Sequence, residues 1–328
     1  MRRAISNLAN RNNTMPPDGT FAIGIDVGGS RTRAALVGHD GRVWKRRAAP
    51  TQSWLGEGAS HVELSPLLQS IDELRRTVAA KPDADVPIGL ALPGVLDRAG
   101  RIVARSVNLA ALEGLPLGDT IQQHTRSCVT VMTDIDAATW GEYLAMDIRP
   151  DRFVHLRIGT GIGCGAVVDG RIVRLARSAP GHVDALIVGK IPDAKVCACG
   201  RCGCLEVYAS GRALSRVSDS CGLGEGLDGW QRAIENRESA AMQAMEGPAK
   251  WLAAAIDNLV LQFESPVVCI GGGVAAHLPA LIDAALRRRE PASGAEGSCG
   301  PVVVQASLGD DAGVIGAALL ALRRNPPW

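Results

Sequence analysis

Residues 21–43, FAIGIDVGGSRTRAALVGHDGRV, contain two short apolar runs joined by a glycine-rich turn. Phe21 to Asp26 and Ala34 to Val37 have the composition of buried strands, and Val27-Gly28-Gly29-Ser30 lies between them. The glycines supply the backbone freedom and the accessible N–H groups that close contact with an anion requires. Asp26 ends the first strand, where a carboxylate can hold a metal-bound water or order the turn. The stretch therefore predicts a β-hairpin whose turn binds phosphate.

The same arrangement recurs at residues 153–173, FVHLRIGTGIGCGAVVDGRIV. A single glycine-rich turn is a weak signal, because hairpins need glycine for other reasons. A third glycine run, Gly271-Gly272-Gly273, follows an apolar strand and precedes a helix. Three such runs, each after an apolar strand, are poorly explained by chance. We therefore expect two similar subdomains that face one nucleotide. The candidate nucleotide-binding residues are Asp26, Gly28, Gly29, Ser30, Thr160, Gly161, Gly272 and Gly273.

Composition and charge exclude several classes of protein. The chain has 328 residues, which favours two domains, and its 35 Lys and Arg against 34 Asp and Glu leave no basic excess for a nucleic-acid or membrane partner. No apolar run approaches the roughly 18 residues of a membrane span, and the polar N-terminus lacks the apolar region of a signal peptide. Nine cysteines, an odd number, fit a reduced compartment. We expect a cytoplasmic protein.

Apolar patterns of strand and helix type alternate along the chain. Ser65-Pro66 is a helix-start signal, and Ala249 to Phe263 has apolar residues at helical spacing. A strand at Val129 to Met132 leads through Asp134 to a helix at Ala137 to Met146, and the last helix covers Ala312 to Arg324. This alternation predicts an α/β architecture, in which catalytic groups favour the ends of strands.

The sequence Cys197-Ala-Cys199-Gly-Arg-Cys202-Gly-Cys204-Leu-Glu206 is the most specific local signal. Thiols this close together cannot all be apolar fillers, and tetrahedral zinc is the physical use that fits them. The alternative is a glycine-rich loop with free thiols. We predict a structural Zn²⁺ held by Cys197, Cys199 and Cys204.

Together these motifs resemble the ROK family of sugar kinases and related repressors, within the sugar kinase, Hsp70 and actin superfamily. The resemblance covers nearly everything from Phe21 onward. It implies two actin-like (ribonuclease H-like) domains with a ligand cleft between them, which bind ATP with Mg²⁺ and a sugar, and we expect a homodimer. Residues 21–130 with 312–328 form the smaller N-terminal domain, residues 131–311 the larger C-terminal domain, and residues 1–20 a mobile tail. The motifs that carry the resemblance are Asp26-Val-Gly-Gly-Ser30, Pro93-Gly94, Asp134 through Gly141-Glu142, Gly159-Thr-Gly-Ile-Gly163, the cysteine loop ending in Glu206, Ala209-Ser210-Gly211, and Gly271-Gly272-Gly273.

The resemblance also assigns roles in the site. The residue that matches Asp134 is the family's general base, and phosphoryl transfer does need one carboxylate near the attacking oxygen. The alternative is that Asp134 only caps the following helix, although Asp136 is better placed for a cap. Glu206 matches a glutamate that contacts the sugar. Asn108 lies where the family carries a hydroxyl-binding asparagine, with a turn-forming role as the alternative.

Three departures from the family pattern affect the sugar site. Thr133 replaces the asparagine that precedes the catalytic aspartate, so one amide becomes a single hydroxyl. Counted without gaps from Asp169-Gly170, the family's Gly-Glu-Ile-Gly-His loop falls on residues 181–185, where His182 replaces the glutamate and Ala185 the histidine. An unmodified glucose site is therefore not expected. His182, Asp184 or Cys202 remain alternatives for the fourth zinc ligand, and His182 and Asp184 are candidate substrate-binding residues.

The sequence thus predicts an ATP-dependent kinase that phosphorylates a primary hydroxyl of a sugar or sugar-like polyol, with Asp134 as the general base. An amino sugar or a cyclitol is favoured over plain glucose as the acceptor, because the residues that read the anomeric end have changed. The alternative is a non-catalytic, sugar-sensing ROK protein without a DNA-binding domain.

Overall fold

The computed structural model describes residues 20–55, 63–78, 85–97, 99–106, 108–173, 195–289 and 301–323. These residues form two compact units: the first takes the described residues up to Gly141 and from Asp311 onward, and the second those from Glu142 to Asp310. Of the predicted tail, residues 1–20, only Thr20 lies within the described residues. None of the helices in these ranges is both long and apolar enough to cross a membrane.

The first unit is built on a five-stranded sheet of β1 (Phe21–Val27), β2 (Arg31–Gly38), β3 (Val43–Pro50), β4 (Ile88–Leu92) and β7 (Val129–Thr133). The strands lie in the order β3-β2-β1-β4-β7. Strand β1 pairs antiparallel with β2 and parallel with β4, and β4 pairs parallel with β7. The other elements are α1 (Gln52–Leu55), α2 (Ser65–Val78), β5 (Val95–Leu96), β6 (Val103–Arg105), α3 (Leu117–Thr125), α4 (Asp134–Leu144) and α11 (Ala312–Ala321).

The second unit repeats this plan with a sheet of β8 (Arg152–Ile158), β9 (Ile162–Val168), β10 (Arg171–Ile172), β11 (Val267–Gly271) and β12 (Val302–Gln305). The strands lie in the order β10-β9-β8-β11-β12. Strand β8 pairs antiparallel with β9 and parallel with β11, and β11 pairs parallel with β12. The other elements are α5 (Glu206–Ala209), α6 (Gly211–Cys221), α7 (Gly226–Glu235), α8 (Ser239–Phe263), α9 (Gly273–His277) and α10 (Pro279–Arg288). The predicted repeat of the hairpin is confirmed.

Helix α11 completes the core of the first unit. Its sequence is apolar all round and nearly all of its residues are buried, as expected for a helix enclosed on every side. It packs backbone to backbone on the sheet: a Cβ atom at Gly24 would lie 1.8 Å from the carbonyl oxygen of Val314, and one at Gly89 would lie 2.0 Å from that of Ala317. Only glycine allows these approaches.

The boundary between the units crosses α4. The predicted boundary between residues 130 and 131 falls inside β7, and the pairing of β7 with β4 keeps this strand in the first sheet. Glu142, near the end of α4, is buried in the second unit. Its carboxylate accepts hydrogen bonds from the backbone N–H groups of Ser307 at 2.8 Å and Leu308 at 2.9 Å. The Glu142 carboxylate therefore joins the end of α4 to the segment after β12 by hydrogen bonds.

Candidate functional site

The first glycine-rich turn joins β1 to β2 and is open to solvent at Gly29 and Ser30. Neither Gly28 nor Gly29 lies in the left-handed region of backbone conformation. Gly28 is required for a different reason, because a Cβ atom there would lie 2.8 Å from the carbonyl oxygen of Arg31. At Gly29 nothing lies within 4 Å of that position. The turn therefore leaves space for a ligand against its backbone.

Three residues outside the predicted site, Thr51, Thr32 and Trp54, fix this turn. The backbone N–H of Thr51 donates to the carbonyl oxygen of Ser30 at 3.0 Å. The hydroxyl of Thr51 donates to the carbonyl oxygen of Gly28 at 2.7 Å. The hydroxyls of Thr51 and Thr32 lie 3.1 Å apart, and Trp54 Nε1 donates to Thr32 Oγ1 at 3.0 Å. This buried hydrogen-bond network holds the turn in one conformation, and no local sequence motif predicts the network.

Asp26 is buried at the end of β1, with only 3% of its surface exposed. A Cβ atom at Gly313 would lie 2.6 Å from Asp26 Oδ2, so the carboxylate rests against the first turn of α11. The N-terminal end of a helix favours a negative charge. The last helix of the chain therefore sets the position of a carboxylate from the first strand.

Asp134 stands at the junction of β7 and α4. Thr133 Oγ1 accepts a hydrogen bond from the N–H of Asp136 at 3.1 Å, which makes Thr133 the N-cap of the helix. The helix begins at Asp134, three positions before the predicted start at Ala137, so the expectation that Asp136 is the better cap is wrong. Asp134 itself is half-buried, and its Oδ1 accepts from the N–H of Ile135 at 2.9 Å. Thr133 retains a hydroxyl hydrogen to donate.

Asn108 is exposed and lies between β6 and a short 3₁₀ turn at Ala110–Leu112. It belongs to the same unit as Asp134. The chain beside it is ordered by Ser106, whose hydroxyl accepts from the N–H of Leu109 at 3.2 Å and whose N–H donates to Glu113 Oε1 at 2.8 Å. Its proposed contact with an acceptor hydroxyl stays a prediction.

The second glycine-rich turn joins β8 to β9 and is held by the start of α6. The N–H of Gly159 donates to the carbonyl oxygen of Gly161 at 2.9 Å. The N–H groups of Gly211 and Arg212 donate to the carbonyl oxygens of Gly159 and Thr160 at 2.8 and 3.3 Å. Thr160 is exposed, so this turn also offers an accessible surface.

The third glycine run packs against the second turn. Gly272 has φ 92°, and a Cβ atom there would lie 2.4 Å from the carbonyl oxygen of Ile158. Both features demand glycine. Because β11 is parallel to β8, their carboxyl ends meet, which brings Gly272 beside the turn. At Gly273 the space that a side chain would take is empty.

Glu206 contacts the second turn directly. Its Oε2 accepts from the N–H of Ile162 at 3.0 Å, and a Cβ atom at Gly161 would lie 2.6 Å from the same oxygen. Glu206 is predicted to bind the acceptor, and Gly161 is predicted to bind the nucleotide. The structure brings these two predicted binding residues into contact within one unit.

Three of the four clustered cysteines come together. The sulfur atoms of Cys197, Cys199 and Cys204 all lie within 4.8 Å of one another, and those of Cys199 and Cys204 are 3.6 Å apart. Ligands at 2.3 Å from a tetrahedral zinc are about 3.8 Å apart, so the donor set fits that metal with one position left over. Cys202 is exposed and outside the group. His182 and Asp184, the other candidates for the fourth ligand, lie outside the described residues.

Burial sets the ionisation of the cysteines in this unit. It raises the pKa of the Cys197 thiol above its usual value and the pKa of Cys164 to about 12. A buried thiol with a raised pKa stays protonated at neutral pH unless a cation lies beside it. Cys164 therefore acts as a core residue, and Cys197 is the one that sits in a candidate metal site.

The repeated sheets, each with a glycine-rich hairpin turn at one edge, are those of an actin-like ATPase fold. The sequence model of the ROK family matches residues 22–324, and the chain belongs to this family. The membership and the fold class predicted from the sequence are both confirmed.

Curated relatives and solved structures agree with this assignment. An N-acetylmannosamine kinase of Escherichia coli O139:H28 is 29% identical over 305 residues, which cover 91% of this chain and 97% of the relative. The ROK hexokinase from Thermus thermophilus is 27% identical with a TM-score of 0.71, covering 91% of this chain and 97% of that one. A ROK family glucokinase from Streptomyces griseus, solved with glucose and AMPPNP, is also 27% identical, with a TM-score of 0.70 and coverage of 91% and 98%.

Proposed function

We propose that this ROK protein is an ATP- and Mg²⁺-dependent kinase that phosphorylates the primary hydroxyl of an amino sugar, with Asp134 as the general base. The enzyme class, an ATP-dependent carbohydrate kinase, is the one predicted from the sequence, and it is confirmed by relatives that are sugar kinases matched over nearly their whole length. The base and the acceptor are the parts that are proposed.

The position of Asp134 carries the assignment of the base. Its carboxylate stands at the carboxyl edge of the first sheet, where catalytic groups of α/β folds collect. Thr133 fixes the start of α4, and the dipole of that helix favours a negative charge in its first turn. A charged carboxylate held in this way can take the proton from an attacking hydroxyl as the bond to the γ-phosphorus forms.

The two hairpin turns are the proposed phosphate sites. Gly29 and Ser30 in one unit and Thr160 in the other are exposed, and glycine leaves the backbone beside them uncovered. Backbone N–H groups in such turns donate to phosphate oxygens. Mg²⁺ bound with the nucleotide would neutralise charge on the β- and γ-phosphates, and Asp26 is the residue we propose to hold its water shell.

The departures at positions 182 and 185 support an acceptor other than glucose. Counted without gaps from Asp169-Gly170, the glutamate and histidine of the family's loop fall on His182 and Ala185. A site that has lost two hydrogen-bonding partners no longer matches the sugar those partners were built for. The curated relative at 29% identity is named an N-acetylmannosamine kinase, so N-acetylmannosamine is the first candidate.

We expect kcat/KM for N-acetylmannosamine to exceed that for glucose at least about tenfold, because each buried group left unpaired costs about 1 to 3 kcal/mol. Coupled ADP release across N-acetylmannosamine, N-acetylglucosamine, glucose and a cyclitol measures the ratio. The paired change His182→Glu with Ala185→His should move the ratio towards glucose. Glucose as the best acceptor of the wild type, or a ratio that the paired change leaves untouched, would refute this specificity.

The cysteine cluster supports a structural zinc. We expect about one zinc per chain in protein purified without chelator, and little zinc in Cys204→Ser, because three thiolates and one further ligand complete a tetrahedral site. The matched control is Cys221→Ser, an exposed cysteine outside the cluster, which should keep its zinc. Elemental analysis measures the metal. Because the loop runs directly into Glu206, zinc loss should raise KM for the acceptor more than KM for ATP. Full zinc content in Cys204→Ser would contradict this assignment.

A non-catalytic sugar sensor is the competing function, and the altered residues at positions 182 and 185 are the observation that favours it. Coupled ADP release measured with the same four acceptors distinguishes the kinase from the sensor. Sugar binding without ADP release on any acceptor would support the sensor, whereas ADP release that depends on the acceptor supports the kinase.

A further inference from the structure

Arg157 occupies an unusual position at the end of β8. Alternate residues of this strand, Val154, Leu156 and Ile158, face the apolar core of the second unit, so Arg157 points to the opposite face. It lies two residues before Gly159, the first residue of the second glycine-rich turn. Its direct neighbours on the adjoining strands are glycines, Gly163 on β9 and Gly271 on β11. The guanidinium therefore has no side chain beside it from either neighbouring position.

His155, two positions before Arg157 and on the same face of β8, carries no negative charge. His155 is buried, and burial together with the nearby charge of Arg157 lowers its pKa to about 3. It is therefore neutral at physiological pH. Glu142 is the buried carboxylate near Cys269, the residue of β11 that neighbours His155. Both oxygens of Glu142 already accept hydrogen bonds from Ser307 and Leu308.

Three other arginines of this unit have carboxylate partners among the described residues: Arg152, Arg288 and Arg289. Arg152, at the opposite end of β8, pairs with Glu264, and Arg289 pairs with Asp257 at 2.6 Å. Arg157 is half-buried and, among the residues that the structure describes, it makes no ion pair with a carboxylate. Partial burial of a charge is unfavourable unless an opposite charge compensates it.

We propose that Arg157 binds the phosphate chain of the nucleotide at the second glycine-rich turn. The inference rests on the proposed function and adds a positively charged side chain to a turn whose other candidate phosphate ligands are uncharged. A planar guanidinium can donate to two phosphate oxygens at once and carries a positive charge, which the backbone N–H groups of a turn do not supply. Nothing in the sequence pattern singles out Arg157, because its significance depends on the glycines beside it and on the absence of a carboxylate partner in the described chain.

The test compares Arg157→Gln with Arg152→Gln, the same change at the other end of the same strand. Isothermal titration without any acceptor gives the Kd values for MgADP and for adenosine. We expect Arg157→Gln to weaken MgADP about tenfold or more and to change adenosine by no more than about twofold, because only the phosphates lose a partner. Arg157→Lys should recover part of the loss. Arg152→Gln should bind both ligands as the wild type does.

Three results would overturn the inference. They are unchanged MgADP affinity in Arg157→Gln, an equal loss for adenosine and MgADP, and a wild type that does not bind MgADP. The sugar 6-phosphate product is the other source of a phosphate group, so it is titrated as well. A loss confined to the sugar phosphate would place Arg157 at the product and also overturn the nucleotide assignment. Since these titrations need no acceptor, a failed search for an acceptor would not decide them.

Discussion

Replacing Asp134 by asparagine is expected to lower turnover by about two to four orders of magnitude, the range for removal of a general base. Asparagine keeps the shape of the side chain and a carbonyl oxygen that can accept from the N–H of Ile135, as Oδ1 does at 2.9 Å. The start of α4 should therefore remain intact. The amide cannot take a proton from the acceptor hydroxyl, so kcat falls while binding of both substrates changes little. Coupled ADP release at saturating substrate measures the effect.

The matched control is Asp119→Asn, which makes the same chemical change on the exposed surface of α3, where Asp119 pairs with Arg101. It should retain wild-type turnover. Thermal unfolding of both variants shows whether either has lost its fold. An Asp134→Asn protein that works at near wild-type rate on its best acceptor would remove Asp134 from the mechanism.

Replacing Gly316 by alanine is expected to abolish the fold of the first unit. A Cβ atom at Gly316 would lie 1.7 Å from the carbonyl oxygen of Ala137 and 2.9 Å from the backbone nitrogen of Gly141. Both contacts are with the backbone of α4, which cannot rotate away as a side chain can, so α11 must move off α4. We expect a loss of at least about 5 kcal/mol, which is comparable to the whole stability of a typical domain. Urea unfolding followed by circular dichroism measures it.

Gly247→Ala is the control for this change, because Gly247 also lies inside a helix, α8, but has nothing within 4 Å of its missing side chain. Alanine there should change the stability by less than about 1 kcal/mol in either direction, because its gain in helix propensity is opposed by crowding against the ring of Pro248. If Gly316→Ala unfolded at the same urea concentration as the wild type, the close packing of α11 on α4 would be wrong.

Local sequence patterns predicted the parts of the fold that depend on local chemistry. The hairpins of residues 21–43 and 153–173 form where apolar runs flank glycine turns, and α2 begins at the Ser65-Pro66 signal. The start of α4 was misplaced because several residues near it are able to cap a helix, and the hydroxyl of Thr133 turned out to be the cap. A sequence pattern ranks such residues poorly, since the geometry of the preceding strand decides between them.

Contacts between distant segments account for what the sequence could not predict. The cysteine spacing indicated which thiols converge, but only the folded loop separates exposed Cys202 from the other three. The contact of Glu206 with the turn at Gly161 joins residues far apart in the chain, as does the network of Thr51 and Trp54 beneath the first turn. No periodicity or motif encodes these pairs, because tertiary packing alone creates them.

The most direct test of the proposed kinase is the identity of the product. Wild-type protein is incubated with MgATP and N-acetylmannosamine, and the products are examined by mass spectrometry and phosphorus NMR, with Asp134→Asn as the parallel sample. The proposed function predicts one sugar monophosphate with the phosphate on the primary hydroxyl, ADP in equal amount, and almost no product from Asp134→Asn. A wild type that binds the amino sugar but forms no sugar phosphate from it, or forms it equally well without the Asp134 carboxylate, would contradict the account.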